Sequence, residues 1–388
     1  MRKIVVILSV LVLLFAFVSC KESVDRLFGF DLTLEANDGT GTKTTVRING
    51  ADGKVPECPF SREGYTFYKW NTKQDGSGTS YEEGDAFQDD KGHTLYAQWS
   101  FDLTLEANDG TGTKTTVRIN GTGGKIPECP FSREKYSFAG WNTKQDGSGT
   151  SYEEGDAVPQ DKDHTLYAQW EIIPIILEDS TKIWTDGNVY LLNSDVHYTE
   201  DRIYVSGSVT LILNDGYTLT ADMGINVYEG YSLTIGATGE GTGRIVATGP
   251  AGRAGIGGSN INHNCGVITI NGGTVNASAS GGGAGIGGGS DGSGGTITIN
   301  GGTVYANAVN GGAGIGGGSD GSGGTVIING GTVYANAVNG GAGIGKGYNG
   351  DSDGTLTLGT SVALEVSSNG TDWYGYDGST RKEYMRTI

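Results

Sequence analysis

Basic side chains are scarce in this chain. Its 388 residues include 26 Lys and Arg against 44 Asp and Glu, which gives a formal net charge of −18. Such a surface repels polyanions, so neither nucleic acid nor an anionic lipid surface is expected as a partner. Between residues 254 and 345 the sequence has no Lys or Arg at all.

Cysteine is almost as rare. The four thiols, Cys20, Cys58, Cys129 and Cys265, are single and scattered along the chain. This spacing excludes a disulfide framework and a cysteine metal site. We expect no cofactor and no resident metal ion.

Long apolar runs are also lacking. The longest, from Ile4 to Val18, is broken by Ser9 and follows the basic pair Arg2 and Lys3. It is too short to span a bilayer comfortably and is typical of the apolar region of an export signal.

The end of this run, Phe17-Val18-Ser19-Cys20, resembles the lipobox of bacterial lipoproteins. The resemblance implies a signal peptide over residues 1–19, a lipidated Cys20 with a short tether over 20–29, and a membrane anchor without a transmembrane helix. Lys21 after the cysteine implies that the protein is not held at the inner membrane. We therefore expect an exported protein that is anchored in the outer membrane and faces the cell surface.

Repeats take up most of the remaining sequence. The segment FDLTLEANDGTGTKTTVRING begins at Phe30 and again at Phe101, and WNTKQDGSGTSYEEGDA begins at Trp70 and again at Trp141. Short alternating apolar patterns between Asp-Gly turns predict one small β-rich module over 30–99 and another over 100–170. Their near-identity predicts tandem modules arranged like beads on a string.

The aromatic and glycine positions of both modules resemble the Listeria–Bacteroides repeat, the B-repeat of internalin-like surface proteins. The first copy departs from the usual Gly-Trp pair, because Lys69 precedes Trp70. The resemblance implies small α+β, β-grasp-like modules that act as surface spacers or in adhesion, without catalysis. A small module needs its aromatic side chains for its core, so we expect them to be buried. The matching positions are Tyr65, Phe67, Trp70, Asp75-Gly76, Gly78, Tyr81, Leu95-Tyr96-Ala97 and Trp99, and in the second copy Tyr136, Phe138, Gly140-Trp141, Asp146-Gly147, Tyr152, Leu166-Tyr167-Ala168 and Trp170.

A different repeat pattern begins after a connector at 171–181. Apolar pairs recur from Val189/Leu191 onward, and the later ones are spaced by 29 or 30 residues. Three files of apolar residues at one period mean three short strands per repeat, and such a coil can bury its apolar face only by stacking on its neighbours. We therefore predict an all-β chain in which a right-handed parallel β-helix spans 182–366 and a cap closes it at 367–388. The files are Ile268/Ile270, Ile297/Ile299, Val326/Ile328 and Leu356/Leu358; Val275, Val304, Val333 and Val362; and Ile256, Ile286, Ile315 and Ile344.

Glycine accounts for 70 residues, and its excess in this half has several possible explanations. Pairs such as Gly272-Gly273 follow strands, where the chain must turn sharply. The preceding Asn271, Asn300 and Asn329 are expected to tolerate a left-handed conformation and to stack as a hydrogen-bonded ladder. A phosphate loop lacks its helix and Lys, and the regular Ile and Val files disfavour disorder. A calcium repeat remains open, since Asp291 and Asp320 could share an ion across adjacent coils, although a plain surface turn is simpler.

The C-terminal half also resembles bacterial cell-surface β-helix proteins of the pectate-lyase-like superfold, some of which look like carbohydrate-binding domains. The resemblance is specific for the fold and weak for the ligand. Its marks are WTDG at 184–187, DRIYVSG at 201–207, VTLILNDG at 209–216, GINV at 224–227, AGIGG at 254–258 and ITINGGTV at 268–275.

Catalysis is not expected. By resemblance, β-helix hydrolases and lyases use clustered carboxylates with basic residues, and acid–base work needs such groups at one site. Between Ala254 and Gly345 the only carboxylates are Asp291 and Asp320, and the only His is His263. The early coils hold a possible cluster, which would otherwise be a solvated turn: Asp195, His197, Glu200, Asp201 and Arg202.

Binding is better supported. Tyr305 and Tyr334 should lie one above the other on the outer face, about 5 Å apart, with Asn307 and Asn336 beside them. This strip could stack on sugar rings, or it could only strengthen the sheet. Trp373 and Tyr374 are expected to cap the open end of the β-helix, with a terminal ligand site as the alternative.

The sequence thus predicts a lipid-anchored surface protein that acts in adhesion or ligand binding, with a glycan or a host or biofilm surface as its ligand. One rival is a polysaccharide lyase or hydrolase, which would need a carboxylate cluster around 195–202. The other is an envelope spacer without a specific ligand, which an outer face without a groove or an aromatic platform would favour.

Overall fold

The computed structural model describes residues 29–49, 53–87, 93–121, 124–158, 165–259, 263–378 and 383–388. The predicted signal peptide, Cys20 and nearly all of the tether lie outside these residues. The chain forms two compact units, Met1–Glu171 and Ile172–Ile388. Secondary structure in the described residues is entirely β, and none of it is a helix of the length and apolarity needed to cross a membrane.

One nine-stranded sheet makes up the first unit, and its two halves repeat the same arrangement. Each half consists of an antiparallel pair, a longer strand that pairs in parallel with the first of them, a fourth strand on the other side of the longer strand, and a two-residue strand beside this fourth strand. The strands are β1 (Phe30–Glu35), β2 (Lys43–Ile48), β3 (Thr66–Asn71), β4 (Ser80–Tyr81), β5 (Thr94–Glu106), β6 (Lys114–Asn120), β7 (Tyr136–Asn142), β8 (Ser151–Tyr152) and β9 (Thr165–Ile172).

The two modules share a strand. β5 runs without a break through 13 residues, closing the first module and opening the second. β1 pairs in parallel with its first part and β9 with its last part. Across the junction the rings of Tyr65 and Phe101 meet edge to face, with centroids 5.5 Å apart. The expectation of independent beads is therefore wrong, because β5 belongs to both modules.

The aromatic residues form the cores of the modules, as predicted. Trp70 and Trp141 are fully buried, and Trp99 donates its Nε1 hydrogen to the carbonyl oxygen of Ala36 at 2.7 Å. Between β2 and β3, and between β6 and β7, the described chain is extended loop and not helix. The α element of a β-grasp module is therefore not seen in the described residues, and the modules are all-β there.

Three parallel sheets form the β-helix of the second unit. The first contains β10 (Ile175–Ile176), β12 (Val189–Leu192), β15 (Ser208–Leu213), β18 (Ser232–Ala237), β21 (Val267–Ile270), β24 (Thr296–Ile299), β27 (Thr325–Ile328) and β30 (Thr355–Leu358). The second contains β11 (Ile183–Thr185), β14 (Ile203–Ser206), β17 (Ile225–Val227), β20 (Ile256–Gly257), β23 (Ile286–Gly287), β26 (Ile315–Gly316) and β29 (Ile344–Gly345). The third contains β13 (Val196–Tyr198), β16 (Thr218–Ala221), β19 (Arg244–Gly249), β22 (Thr274–Ala279), β25 (Thr303–Ala308), β28 (Thr332–Ala337), β31 (Leu364–Ser367), β32 (Tyr374–Gly375) and β33 (Tyr384–Thr387).

The apolar files stack in register and fill the interior. Ile268 lies beside Ile297, and Ile286 beside Ile315, on successive coils, and all four are fully buried. The first predicted pair is displaced by one residue: Tyr190 and Leu192 face the core, and Val189 and Leu191 face outward. A slip of one residue exchanges the two faces of a strand. Strand β10, inside the predicted connector, already pairs with β12.

Glycine, not asparagine, takes up the left-handed turns after the strands. Gly273, Gly302 and Gly331 have φ near +80°, whereas the asparagines two positions before them do not have positive φ. The predicted asparagine ladder is confirmed: Asn300 donates to Asn271, and Asn329 to Asn300, each at 2.8 Å.

A second glycine column explains the repeated Gly-Ile-Gly. Gly257, Gly287, Gly316 and Gly345 have φ between 133° and 146°. A Cβ on Gly287 would overlap the carbonyl oxygen of Gly316 on the next coil. The backbone of each coil therefore touches the next at this corner, where any side chain would force the coils apart.

The C-terminus closes the helix differently from the prediction. The valine file ends at Val333, because β33 pairs antiparallel with β28 and then with β31. Val362 packs against the core from outside this file. The antiparallel pair covers the open edge that a last parallel strand would leave unpaired.

The glycine column makes a prediction. Gly287→Ala should lower the free energy of unfolding by more than about 3 kcal/mol, because it adds a backbone clash to a conformation that only glycine adopts readily. Gly236→Ala is the matched control: this glycine lies in β18 with open space around its Cβ position, so the change should be neutral or slightly stabilising. Urea unfolding midpoints measure both. Equal effects would contradict the packing of the corner.

Candidate functional site

The third sheet carries the predicted strip on its outer face. In β25 the side chains of Val304 and Ala306 are fully buried, and Tyr305 between them is 39% exposed. Parallel pairing without a shift places Tyr305 beside Tyr334 and Asn307 beside Asn336. Like residues therefore lie side by side along the helix axis.

The two tyrosines stack. Their ring centroids are 5.0 Å apart and their planes differ by 6°, which confirms the predicted spacing. Asn336 donates to the Oδ1 of Asn307 at 2.9 Å, a second amide ladder on the same face. Each tyrosine ring therefore contacts the other tyrosine with one of its two faces.

The cap lies on the other side of Tyr334. It pairs with Arg386 of β33, whose guanidinium lies 4.1 Å from the ring centroid of Trp373 and binds Glu365 Oε2 at 2.7 Å. Trp373 is therefore part of the cap, while Tyr374 is 68% exposed at the edge of the sheet. The outer ring face of Tyr305 lies on the side of the preceding coil.

An open groove of about 630 Å³ lies on this side of Tyr305. The coil that precedes Tyr305 carries the smaller Asn276 and Ser278 at the positions paired with Tyr305 and Asn307. The change from tyrosine to smaller side chains makes the step that forms the groove. Its lining residues are Arg244, Val246, Thr274, Asn276, Ser278, Tyr305 and Asn307.

Sequence reasoning found only Tyr305 and Asn307 among these residues. The signal for the others was the valine file: extended one coil upstream, it reaches Ile245, and Arg244 and Val246 then fall on the outer face. Arg244 is exposed. With the Asn276 amide turned so that its oxygen faces the guanidinium, Arg244 Nε donates to that oxygen at 3.2 Å, with a second contact from Nη2. The guanidinium of Arg244 thus adds a charged hydrogen-bond donor to the lining of the groove.

The possible cluster of the early coils is dispersed. Asp195 accepts from the backbone N–H of Thr218 at 2.7 Å, and His197 Nε2 lies 2.9 Å from Asp222. Asp201 forms an exposed ion pair with Lys182. These contacts differ from residue to residue, so the structure does not assemble the groups into one acid–base site.

Arg202 enters the interior instead. It is 4% exposed and donates to the backbone carbonyls of Met223, Ile225, Ala254, Gly257 and Gly258 at 2.7–3.3 Å. Burial lowers the pKa of this guanidinium to about 9. Its role is to join three successive coils at a corner where their carbonyls converge.

The weak metal candidates Asp291 and Asp320 lie at the same corner of successive coils. Asp320 accepts from Asn349 Nδ2 at 2.8 Å, one coil further along. Within the part of the chain that the structure describes, no group of three or more His, Cys, Asp or Glu is arranged to hold a metal ion. Cys58, Cys129 and Cys265 are free thiols, and burial raises the pKa of Cys265 to about 12.

The fold and this face define a class: a tandem-repeat protein in which a pair of β-modules with a shared strand is followed by a parallel β-helix. Comparison with protein families agrees. The Listeria–Bacteroides repeat domain matches residues 30–98 and 101–169, and the β-helix repeat matches 268–290, 297–319 and 326–345. The chain therefore contains two Listeria–Bacteroides repeat domains and a β-helix repeat region, a combination that fits an extracellular surface protein.

Two proteins of Evansella cellulosilytica are similar to part of the chain. One, provisionally named a Gly-rich membrane protein, is 38% identical over 162 residues, which are 37% of this chain and 18% of its own length. The other, provisionally named a membrane protein, is 30% identical over 149 residues, which are 36% of this chain and 22% of its own length. The chain thus spans about a fifth of these relatives. No solved structure is significantly similar to it.

The position of Arg202 makes a second prediction. Arg202→Met should destabilise the protein by at least about 3 kcal/mol, because five carbonyl oxygens, four of them in buried contacts, each lose a charged donor. Arg253→Met, which removes a half-buried guanidinium two coils away, should change stability by less than about 0.5 kcal/mol. Chemical unfolding of both variants provides the measurement. A stable Arg202→Met variant would show that the guanidinium is dispensable to the fold.

Proposed function

We propose that this is an exported, lipid-anchored surface protein whose β-helix binds an extended glycan, without cleaving it, in the groove on the third sheet. The observation that carries the proposal is the outer ring face of Tyr305, supported from behind by Tyr334 and directed over a polar groove. An aromatic face offers a flat apolar platform to the C–H face of a sugar ring.

The polar lining supplies the complementary contacts. Amide groups of Asn276 and Asn307 both donate and accept, and the hydroxyls of Thr274 and Ser278 do the same, which suits a ligand covered with hydroxyl groups. These side chains are held on a sheet whose coils are locked in register, so little conformational entropy is lost when a ligand binds. The groove is open along the surface, and a polymer can lie in it without threading.

The composition of the groove favours binding over cleavage. None of the residues that line it is Asp, Glu or His. Glycosidic cleavage by acid–base chemistry uses two such groups on either side of the scissile bond. The two Listeria–Bacteroides repeats, joined through the unbroken β5, are proposed as the spacer of this adhesin.

The groove predicts a mutational result. In a screen of the full chain against polysaccharides and extracellular-matrix proteins, we expect saturable binding to a glycan, which Tyr305→Ala weakens about tenfold, corresponding to about 1.4 kcal/mol. Tyr204→Ala removes a 44% exposed tyrosine from the second sheet and should leave binding unchanged. Binding that survives Tyr305→Ala would place the site elsewhere, and released sugar products would favour the enzyme. No binding at all would favour the spacer without a ligand.

The proposed anchor is tested separately. In bacteria supplied with an alkyne-tagged fatty acid, the full chain should become labelled, and Cys20→Ala should remove the label, because acylation requires the cysteine thiol. Cys58→Ala removes a half-buried thiol of the first module and should remain labelled. Label that persists in Cys20→Ala, or is absent from all three proteins, would contradict lipidation at this residue.

A further inference from the structure

Among the few differences between the two nearly identical modules, one exposed pair lies directly before the core tryptophan. The first has Tyr68 and Lys69 before its core tryptophan, and the second has Ala139 and Gly140. Tyr68 is 44% exposed, with Lys69 Nζ 5.1 Å from its ring centroid. In the second module both side chains are missing, and a cavity of about 410 Å³ lies at this place, lined by Ala139, Gly140, Trp141, Asn142, Gly147, Ser151, Tyr152, Glu153, Asp156 and Gln169.

The backbone of the second module keeps this cavity open. Gly140 has φ +126°, a conformation that side chains rarely adopt, and a Cβ there would lie 3.2 Å from the carbonyl oxygen of Tyr152. Lys69, at the same position of the first module, does not have a positive φ. The two modules thus have different backbone conformations at this position. The conformation at Lys69 accommodates a side chain, and the conformation at Gly140 leaves a space.

The polar groups that line the space include the carboxylates of Glu153 and Asp156 and the amide of Gln169. Asp156 Oδ2 accepts from the backbone N–H of Glu153 at 2.8 Å, and Gln169 uses its Nε2 toward Tyr167, which leaves its Oε1 as an acceptor beside Gly147. Among the described residues, neither the Glu153 carboxylate nor the Asp156 carboxylate forms an ion pair with Lys or Arg. Carboxylate and amide oxygens beside the ring of Tyr152 suit a cation on an apolar stem.

We propose that the second module binds a lysine or arginine side chain of a partner protein in this cavity. The first module indicates the kind of occupant, since it places a peptide Tyr-Lys pair at the same point. The excess negative charge of the chain favours the approach of a basic partner. This site is separate from the groove of the β-helix and does not depend on it.

The test uses the full chain and the dipeptide Ac-Tyr-Lys-NH2, which copies residues 68–69, at 150 mM NaCl to screen distant charges. Binding is followed by saturation-transfer NMR. We expect saturable binding, at least tenfold weaker for Ac-Tyr-Gln-NH2. Glu153→Gln/Asp156→Asn should weaken binding of the lysine peptide at least tenfold. The same changes in the first module, Glu82→Gln/Asp85→Asn, alter a turn with the same hydrogen bond and should have no effect.

Exchange of the sequences between modules completes the test. Ala139→Tyr/Gly140→Lys copies the first module and should abolish binding without unfolding the protein, as thermal melting can verify. Tyr68→Ala/Lys69→Gly should create a second site and double the stoichiometry. If Glu153→Gln/Asp156→Asn and Glu82→Gln/Asp85→Asn weakened binding equally, the cause would be the overall surface charge, and the proposal would be overturned. Binding that survives Ala139→Tyr/Gly140→Lys, or binding of a glucosamine oligomer in place of the lysine peptide, would overturn it as well.

Discussion

Contact between the backbones of neighbouring coils is the constraint on which the β-helix depends. A coil of about 29 residues cannot bury its apolar side chains alone, so its stability comes from the coil on either side. At the corner after each Ile of the second sheet, Gly258, Gly288 and Gly317 donate to carbonyls of the next coil at 2.8–3.0 Å. Such short contacts exclude a Cβ, and this is why the glycines recur with the period of the coil.

The same constraint produces the outer surface. Because each coil is locked to the next without a shift, residues at equivalent positions must stack, whether they are apolar or not. Ile297 on Val326 gives core, Asn271 on Asn300 gives an amide ladder, and Tyr305 on Tyr334 gives a rigid aromatic step. A groove then needs only one coil with smaller outer side chains beside a coil with larger ones. The candidate site is therefore a local change of residue size in a surface that is otherwise periodic.

The paired modules use repetition in another way. Their cores are nearly the same in sequence and in hydrogen bonding: Asn71 and Asn142 each bind the backbone of the same Gly-Ser-Gly turn. Because the scaffold is duplicated, a change at 139–140 leaves the fold unaffected and alters only what the surface presents. The two modules, which share β5, thus present the same surface in two forms. Side chains occupy the position in the first module, and a cavity lies there in the second.

The sequence by itself determined the architecture. Period-2 alternation within strands and a 29-residue period between them predict a stacked β-helix, because this arrangement buries every apolar file. Turn glycines and the spacing of aromatic residues likewise predict the two small β-modules. The tertiary structure decided what depends on contacts between distant residues. It displaced the first file to Tyr190 and Leu192, turned Arg202 inward, inserted β33 beside β28, and joined the modules through β5. Arg244 and Tyr305 line one groove because parallel pairing places these residues, 61 positions apart, on the two strands that flank β22. Periodicity shows which face a residue occupies, but only the packed fold shows which neighbours it meets there.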